Sequence, residues 1–170
     1  MIRRATGKGS LVRMGFVDAE RSLANLERLG DAADPLLAVL ARTADPDLAL
    51  LGLVRLAESA ADGEELLSAV ADDEGTAMRL LSVLGASNAL ADHLVRHPGH
   101  WKELADPTLG STRAAAFAVR AELLRAVGAD PDDAAPVATV ADDDAVDALR
   151  VEYRRILLRL AARDLSLIHI

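Results

Sequence analysis

Three histidines, His93, His97 and His100, are spaced so that two share one face of a helix and the third follows its break. Imidazoles gathered in this way are the raw material of a zinc site. Leu94, not Glu, follows His93, so the His-Glu-x-x-His pair is absent, and the chain has no cysteine to complete a ligand set. The bland reading is preferred: histidines at a helix C-terminus, favoured there by the helix dipole. Asp142, Asp143 and Asp144 could supply carboxylates to Mg²⁺ or Ca²⁺, but consecutive residues do not converge on one ion. Asp144 is expected as a helix N-cap within a solvated charge run. Arg150, Arg154, Arg155 and Arg159 form a basic helix face that either touches nucleotide phosphates or, as the preferred reading, is solvated or ion-paired, with the acidic connector before it as one partner. Arg163 and Asp164 stand equally as supports for a following domain or as a plain helix terminus. Trp101 with Pro98 reads as a plug at a joint between helices. No nucleophile stands beside a base and no Gly-rich phosphate loop occurs, so no residue is assigned a catalytic, cofactor-binding or metal-ligating role.

These residues need elements to carry them. Hydrophobic residues make up 51% of the chain, enough for a real core, and they are overwhelmingly Leu, Ala and Val, with Phe16, Trp101, Phe117 and Tyr153 as the aromatics. Such a composition favours closely packed helices over sheets. The net charge is −8, although residues 1–17 carry Arg3, Arg4, Lys8 and Arg13 and no acid, so the body of the chain is more acidic still. An acidic body repels phosphate backbones, which argues against a nucleic-acid partner. The longest apolar run, Leu48 to Val54, is too short to span a bilayer, and no apolar core follows the N-terminal charges as a signal peptide requires. No membrane partner is therefore expected, and the expected compartment is the cytoplasm.

Helix starts are legible. Asp34-Pro35 and Asp45-Pro46 each read as an N-cap followed by proline at the first helical position. The first predicts a short helix through Ala41, the second a longer, central one whose buried stripe includes Leu48, Leu51 and Leu56. Asp18 caps a helix with Leu23, Leu26 and Leu29 on one face, ended by Gly30. Asp62 and Asp73 open two more, and Gly85 with Ser87 reads as a stop and restart before a helix over 88–97. Ser111 is expected to cap a helix through Val127, ended by Gly128. From about Asp144 a last helix carries Val146, Leu149, Tyr153, Ile156, Leu157 and Leu160 on one face.

The expectation is thus an all-α array of seven or eight helices. Residues 1–14 are a basic flexible arm, 15–128 a helical domain, 129–143 an acidic linker and 144–165 a long amphipathic helix. Residues 166–170, Ser-Leu-Ile-His-Ile, resemble the translated start of a sequencing adapter and are set aside as a foreign tail.

The run MRLLSVLGASNALADHLVRHPGHWKEL, Met78 to Leu104, is followed by LRVEYRRILLRLAARDL, Leu149 to Leu165, and preceded by GFVDAERSLANLERLG, Gly15 to Gly30. In this order they resemble the N-terminal region of the glutamine synthetase adenylyltransferase/deadenylylase family. The resemblance implies a two-headed enzyme that adds AMP to a tyrosine of glutamine synthetase and removes it by phosphorolysis, controlled by a PII signalling protein, with deadenylylation in the N-terminal half. It also implies ATP and Mg²⁺ for the parent enzyme, the metal held by a Gly-Ser-x-x-Asp-x-Asp signature in a nucleotidyltransferase domain. Gly9-Ser10 and Gly110-Ser111 are the Gly-Ser pairs here, and neither is followed by Asp at that spacing. The resemblance places the signature beyond the Arg163-Asp164-Leu165 helix, so the chain is expected to be an inactive N-terminal fragment holding no cofactor.

The alternative is a stand-alone helical module for protein–protein interaction, without enzymatic activity. As a bare fragment, the chain would expose the apolar face of its last helix and self-associate.

Overall fold

A computed structural model describes residues 6–110 and 115–167, and those residues form an all-α array without strands. Helix α1 spans Lys8–Arg13 and α2 spans Ala19–Leu29. A 3₁₀ segment, Gly30–Leu36, leads into a single turn α3, Leu37–Leu40. The helices α4 (Pro46–Ser59), α5 (Gly63–Asp72), α6 (Glu74–Ala86) and α7 (Asn88–Arg96) follow with minimal connections. Two further 3₁₀ segments, Pro98–Ala105 and Pro107–Gly110, precede α8 (Ala116–Ala126) and α9 (Asp142–Leu167).

Side-chain caps fix most starts. Asp18 accepts from the Arg21 N–H, Asp45 from Leu48, Asp73 from Gly75 and Thr76, and Ser87 from Leu90. Each such bond satisfies a backbone donor that the helix itself leaves free. Asp62 sits at the expected start of α5 but caps nothing; its carboxylate lies 2.9 Å from Lys102 Nζ instead. Of the helix predicted from Asp34 through Ala41, Leu37–Leu40 is α-helical, whereas its start at Asp34-Pro35 lies within the 3₁₀ segment and caps nothing.

Helices α4 and α6 form the central pair. They approach closely because the contact is lined by small residues: a Cβ added at Gly85 would lie 2.9 Å from the Asp45 carbonyl oxygen, and one at Gly52 would lie 3.1 Å from Leu84 Cδ2. Gly85 is therefore a packing residue inside α6, not the helix stop that the sequence suggests. The core-facing residues of α4 are Leu50, Leu53, Val54 and Leu56, while Leu48 and Leu51 lie half-buried at its rim. From α6, Leu80, Leu81, Val83 and Leu84 are buried against them.

The part of the N-terminal arm within the described residues is also corrected, residues 1–5 lying outside them. Residues 8–13 are helical, and Leu11, fully buried in the core with Phe16, anchors them. Hydrophobic burial of Leu11 stabilises this helix, and Lys8 Nζ lies 3.3 Å from Glu20 of α2. Predicted caps at Ser111 and the tail residues 168–170 lie outside the described residues, whereas Ser166 and Leu167 continue α9.

Helix α8 buries no residue fully, and it ends in a left-handed turn: Gly128 has φ +72°, its N–H bonds to Arg125, and the Ala129 N–H bonds to Leu124. Residues 129–141 then form a non-helical excursion whose far end returns, with the Thr139 and Val140 N–H groups both 3.1 Å from the Val127 carbonyl. Helix α9 starts at Asp142, earlier than predicted, so Asp144 occupies its first turn and is not the cap. The Ala145 N–H reaches the Ala141 carbonyl, which sets that start. Helix α9 packs on α6, α7 and α8 through Ile156, Leu158 and Ala162.

Candidate functional site

The residues with chemical potential meet where α7, the 3₁₀ segment after it and α9 converge. Pro98 ends α7 and forces the chain to turn, which carries His100 back over the last turn of α7. As a result His93 Nε2 and His100 Nδ1 lie 3.0 Å apart, and the three rings of His93, His97 and His100 have centroids 4.9 to 5.5 Å from one another. His93 is 1% exposed. Burial, reinforced by His100, His97 and the nearby Arg154 and Arg96, pushes its pKa down to about 4; burial lowers His100 as well. Both imidazoles are thus neutral near pH 7, one donating the shared hydrogen bond and the other accepting it.

The histidines come together, yet among the described residues no group of three His, Asp or Glu side chains is placed to hold a metal ion. Asp142, Asp143 and Asp144 are exposed at the start of α9 and do not converge.

The four arginines divide. Arg155 and Arg159 turn inward: Arg155 Nε donates to Glu103 and its Nη1 lies 3.2 Å from Glu152, while Arg159 donates to Glu122 on α8 and lies 3.4 Å from Glu103. This network of half-buried charges ties α9 to α8 and to the 3₁₀ segment. Its partners are these glutamates, not the acidic residues of the 129–141 excursion. Arg150 and Arg154 stay exposed, Arg150 pairing with Asp147 at 3.1 Å within α9. Arg163 pairs with its neighbour Asp164 at 2.6 Å.

Trp101 is buried in the core beside this junction, as a joint-filling residue, with Lys102 Nζ 5.7 Å from its ring centre. Lys102 in turn bridges Asp62 and Glu65 on α5, and its ammonium holds the Asp62 carboxyl below its ordinary pKa. Arg79 of α6 donates to the Leu104 carbonyl at 2.6 Å. What the arrangement can do is mechanical: it fixes α9 against the body. A groove of about 510 Å³ between α7 and α9, lined by Leu90, Tyr153, Leu157 and Leu160 with Arg150 and Arg154 beside it, remains open to solvent.

Comparison with known proteins separates this scaffold from helical arrays in general. The chain is 42% identical over 174 residues to a bifunctional glutamine synthetase adenylyltransferase/adenylyl-removing enzyme of Streptomyces avermitilis, with 95% of the chain aligned. It is 41% identical to the protein of that name in Streptomyces coelicolor and, over 98% of the chain, 35% identical to that of Cutibacterium acnes. The chain belongs to this family. It spans about 15% of the length of the two Streptomyces adenylyltransferase/adenylyl-removing relatives and 17% of the third. No family model and no solved structure matches it. Among the described residues, no helix of this adenylyltransferase-family chain is long and apolar enough to cross a membrane.

Sequence reasoning missed Glu103, Glu122 and the His93–His100 hydrogen bond. The Glu152–Arg155 pair is legible from helical spacing. Glu103 is separated from Arg155 by 52 positions, and no local pattern carries such a pairing.

Proposed function

We propose that this chain is the N-terminal helical region of a bifunctional glutamine synthetase adenylyltransferase/adenylyl-removing enzyme, and that it packs against and positions the domain that removes AMP from glutamine synthetase by phosphorolysis. The observation that carries this reading is 35 to 42% identity along nearly the whole chain to proteins so named in three bacterial species of two genera. Identity extended in this way argues for shared packing through the entire array. The residues here supply a rigid scaffold and no reacting groups, so the chain by itself is inactive. ATP and Mg²⁺ serve the parent enzyme and are held outside this chain. Glutamine synthetase is the target, a PII protein the regulator and the cytoplasm the compartment; neither membrane nor nucleic acid is a partner.

The test has two parts. The source DNA is resequenced across the codons for Arg163 to Ile170 and onward, where a Gly-Ser-x-x-Asp-x-Asp signature is expected within some tens of codons. The polypeptide with and without the continuation is then assayed for phosphate-dependent release of AMP from adenylylated glutamine synthetase. Release by the longer protein and none by the 170-residue chain is expected. A stop codon directly after Ile170 in the source DNA would sink the reading and favour a stand-alone helical interaction module, for which the exposed apolar stripe of α9 would then be the binding face.

A further inference from the structure

Most of the apolar surface of this molecule is folded inward, but the first turns of α9 are an exception. Val146, Leu149 and Tyr153 are 43%, 38% and 54% exposed, and their spacing of three and four residues aligns them on one face. The stripe runs on into the groove of about 510 Å³ where Leu157 and Leu160 face Leu90 of α7. A continuous apolar strip on the exposed face of a helix is an interaction surface.

The charges along the same helix indicate what covers it. The exposed part of α9 begins with Asp142, Asp143, Asp144 and Asp147 and continues with Arg150, which pairs with Asp147 at the helix surface and can exchange that partner for one across a contact, and Arg154. We infer that this stripe pairs antiparallel with the same stripe of a second copy of the chain, the acidic first turns of each α9 lying along the basic turns of the other. A parallel pairing would set acid on acid and base on base, at a cost. The antiparallel arrangement is two-fold symmetric and closes as a dimer, since one self-complementary patch serves both copies. In it, Val146, Leu149 and Tyr153 of one copy pack between their counterparts, and the groove beside α7 receives the first turns of the other copy's α9.

The contact is modest. A stable dimer buries about 1,200 to 2,000 Å², more than a helix pair of three or four turns provides, and each copy carries a net charge of −8. The dimer is accordingly weak and calls for a wide concentration range to detect. This inference does not depend on the family assignment.

The experiment is sedimentation velocity on the full chain from about 5 to about 500 µM. A rise in weight-average sedimentation coefficient toward that of a dimer is expected, with Leu149→Glu monomeric throughout and its circular dichroism unchanged, because Leu149 lies outside the core. Arg150→Glu/Arg154→Glu and Asp143→Arg/Asp147→Arg are each expected to be monomeric alone and to form a heterodimer when mixed. A wild-type chain that stays monomeric at the highest concentration overturns the inference and leaves the stripe to another part of the family's polypeptide. Dimers that survive Leu149→Glu, or charge-reversed variants that fail to restore one another, overturn the antiparallel register.

Discussion

Lowering the pH from about 7 to about 4.5 should destabilise the fold by about 2 kcal/mol through His93 alone. The ring is 1% exposed and its pKa is depressed to about 4, against an ordinary value of 6.5. The unfolded chain therefore takes up the proton first. Above pH 6.5 both states are neutral at this position and the full stability is present. Between the two values only the unfolded state is charged, so stability falls by about 1.4 kcal/mol per pH unit. Below about 4 the folded state protonates too and the loss levels off, close to 3 kcal/mol in all. His100, also lowered by burial, adds to the loss in the same window. The carboxyls of Asp62, Asp73 and Asp106, all held by their hydrogen-bond partners below the ordinary carboxylate value of 3.8, contribute stability that disappears only as the pH falls past that value. The interval from 6.5 to 4.5 thus isolates the histidines. Urea unfolding followed by circular dichroism at both pH values gives the difference for the wild-type chain and for His93→Gln, which keeps a donor and an acceptor near His100. The variant should lose much less stability on acidification. If it loses as much as the wild type, the buried imidazole is not the cause and the reasoning fails.

Other outcomes follow from the packing. Gly85→Ala should lower stability by about 1 to 3 kcal/mol, since its Cβ would meet the Asp45 carbonyl at 2.9 Å, and thermal unfolding should show the drop. Asp45→Ala and Asp73→Ala each remove a helix cap and should cost about 1 kcal/mol, read from denaturant midpoints, while Asp34→Ala, which caps no α-helix, should cost less. Glu103→Ala leaves Arg155 and Arg159 without a shared acceptor, and amide hydrogen exchange in α9 should accelerate more than exchange in α4 or α6. Equal acceleration everywhere would mean that the network does not serve to hold α9.

The helical class, the aspartate caps at 18, 45 and 73 and the location of α9 were all legible in the sequence, because each rests on spacing within one or two turns. Cap chemistry failed where a distant partner competed: Asp62 gave its carboxylate to Lys102, forty positions away in the chain. Glycine was ambiguous for a similar reason. Gly128 ends a helix as its position suggests, but Gly85 is required by the nearness of α4, and a single sequence does not distinguish a glycine that stops a helix from one that admits a neighbour. The last helix shows the same limit. Its periodicity predicts one apolar face, whereas the fold buries Leu158 and Ala162 beside the predicted Ile156 and leaves Val146, Leu149 and Tyr153 in solvent. Of the site, the three histidines were visible as neighbours, but the glutamates that anchor α9 were not, being contributed by segments that only tertiary packing brings near.

The pinch at Val127 has a practical consequence. The segment that leaves this residue comes back to it through Thr139 and Val140, so its two ends are already joined when it departs. Lengthening a loop that is clamped at its base costs little chain entropy, about 0.6 kcal/mol for each doubling. Residues 130–137 are therefore where this scaffold should accept an inserted reporter, such as a fluorescent domain or an affinity tag, without disturbing the helices on either side.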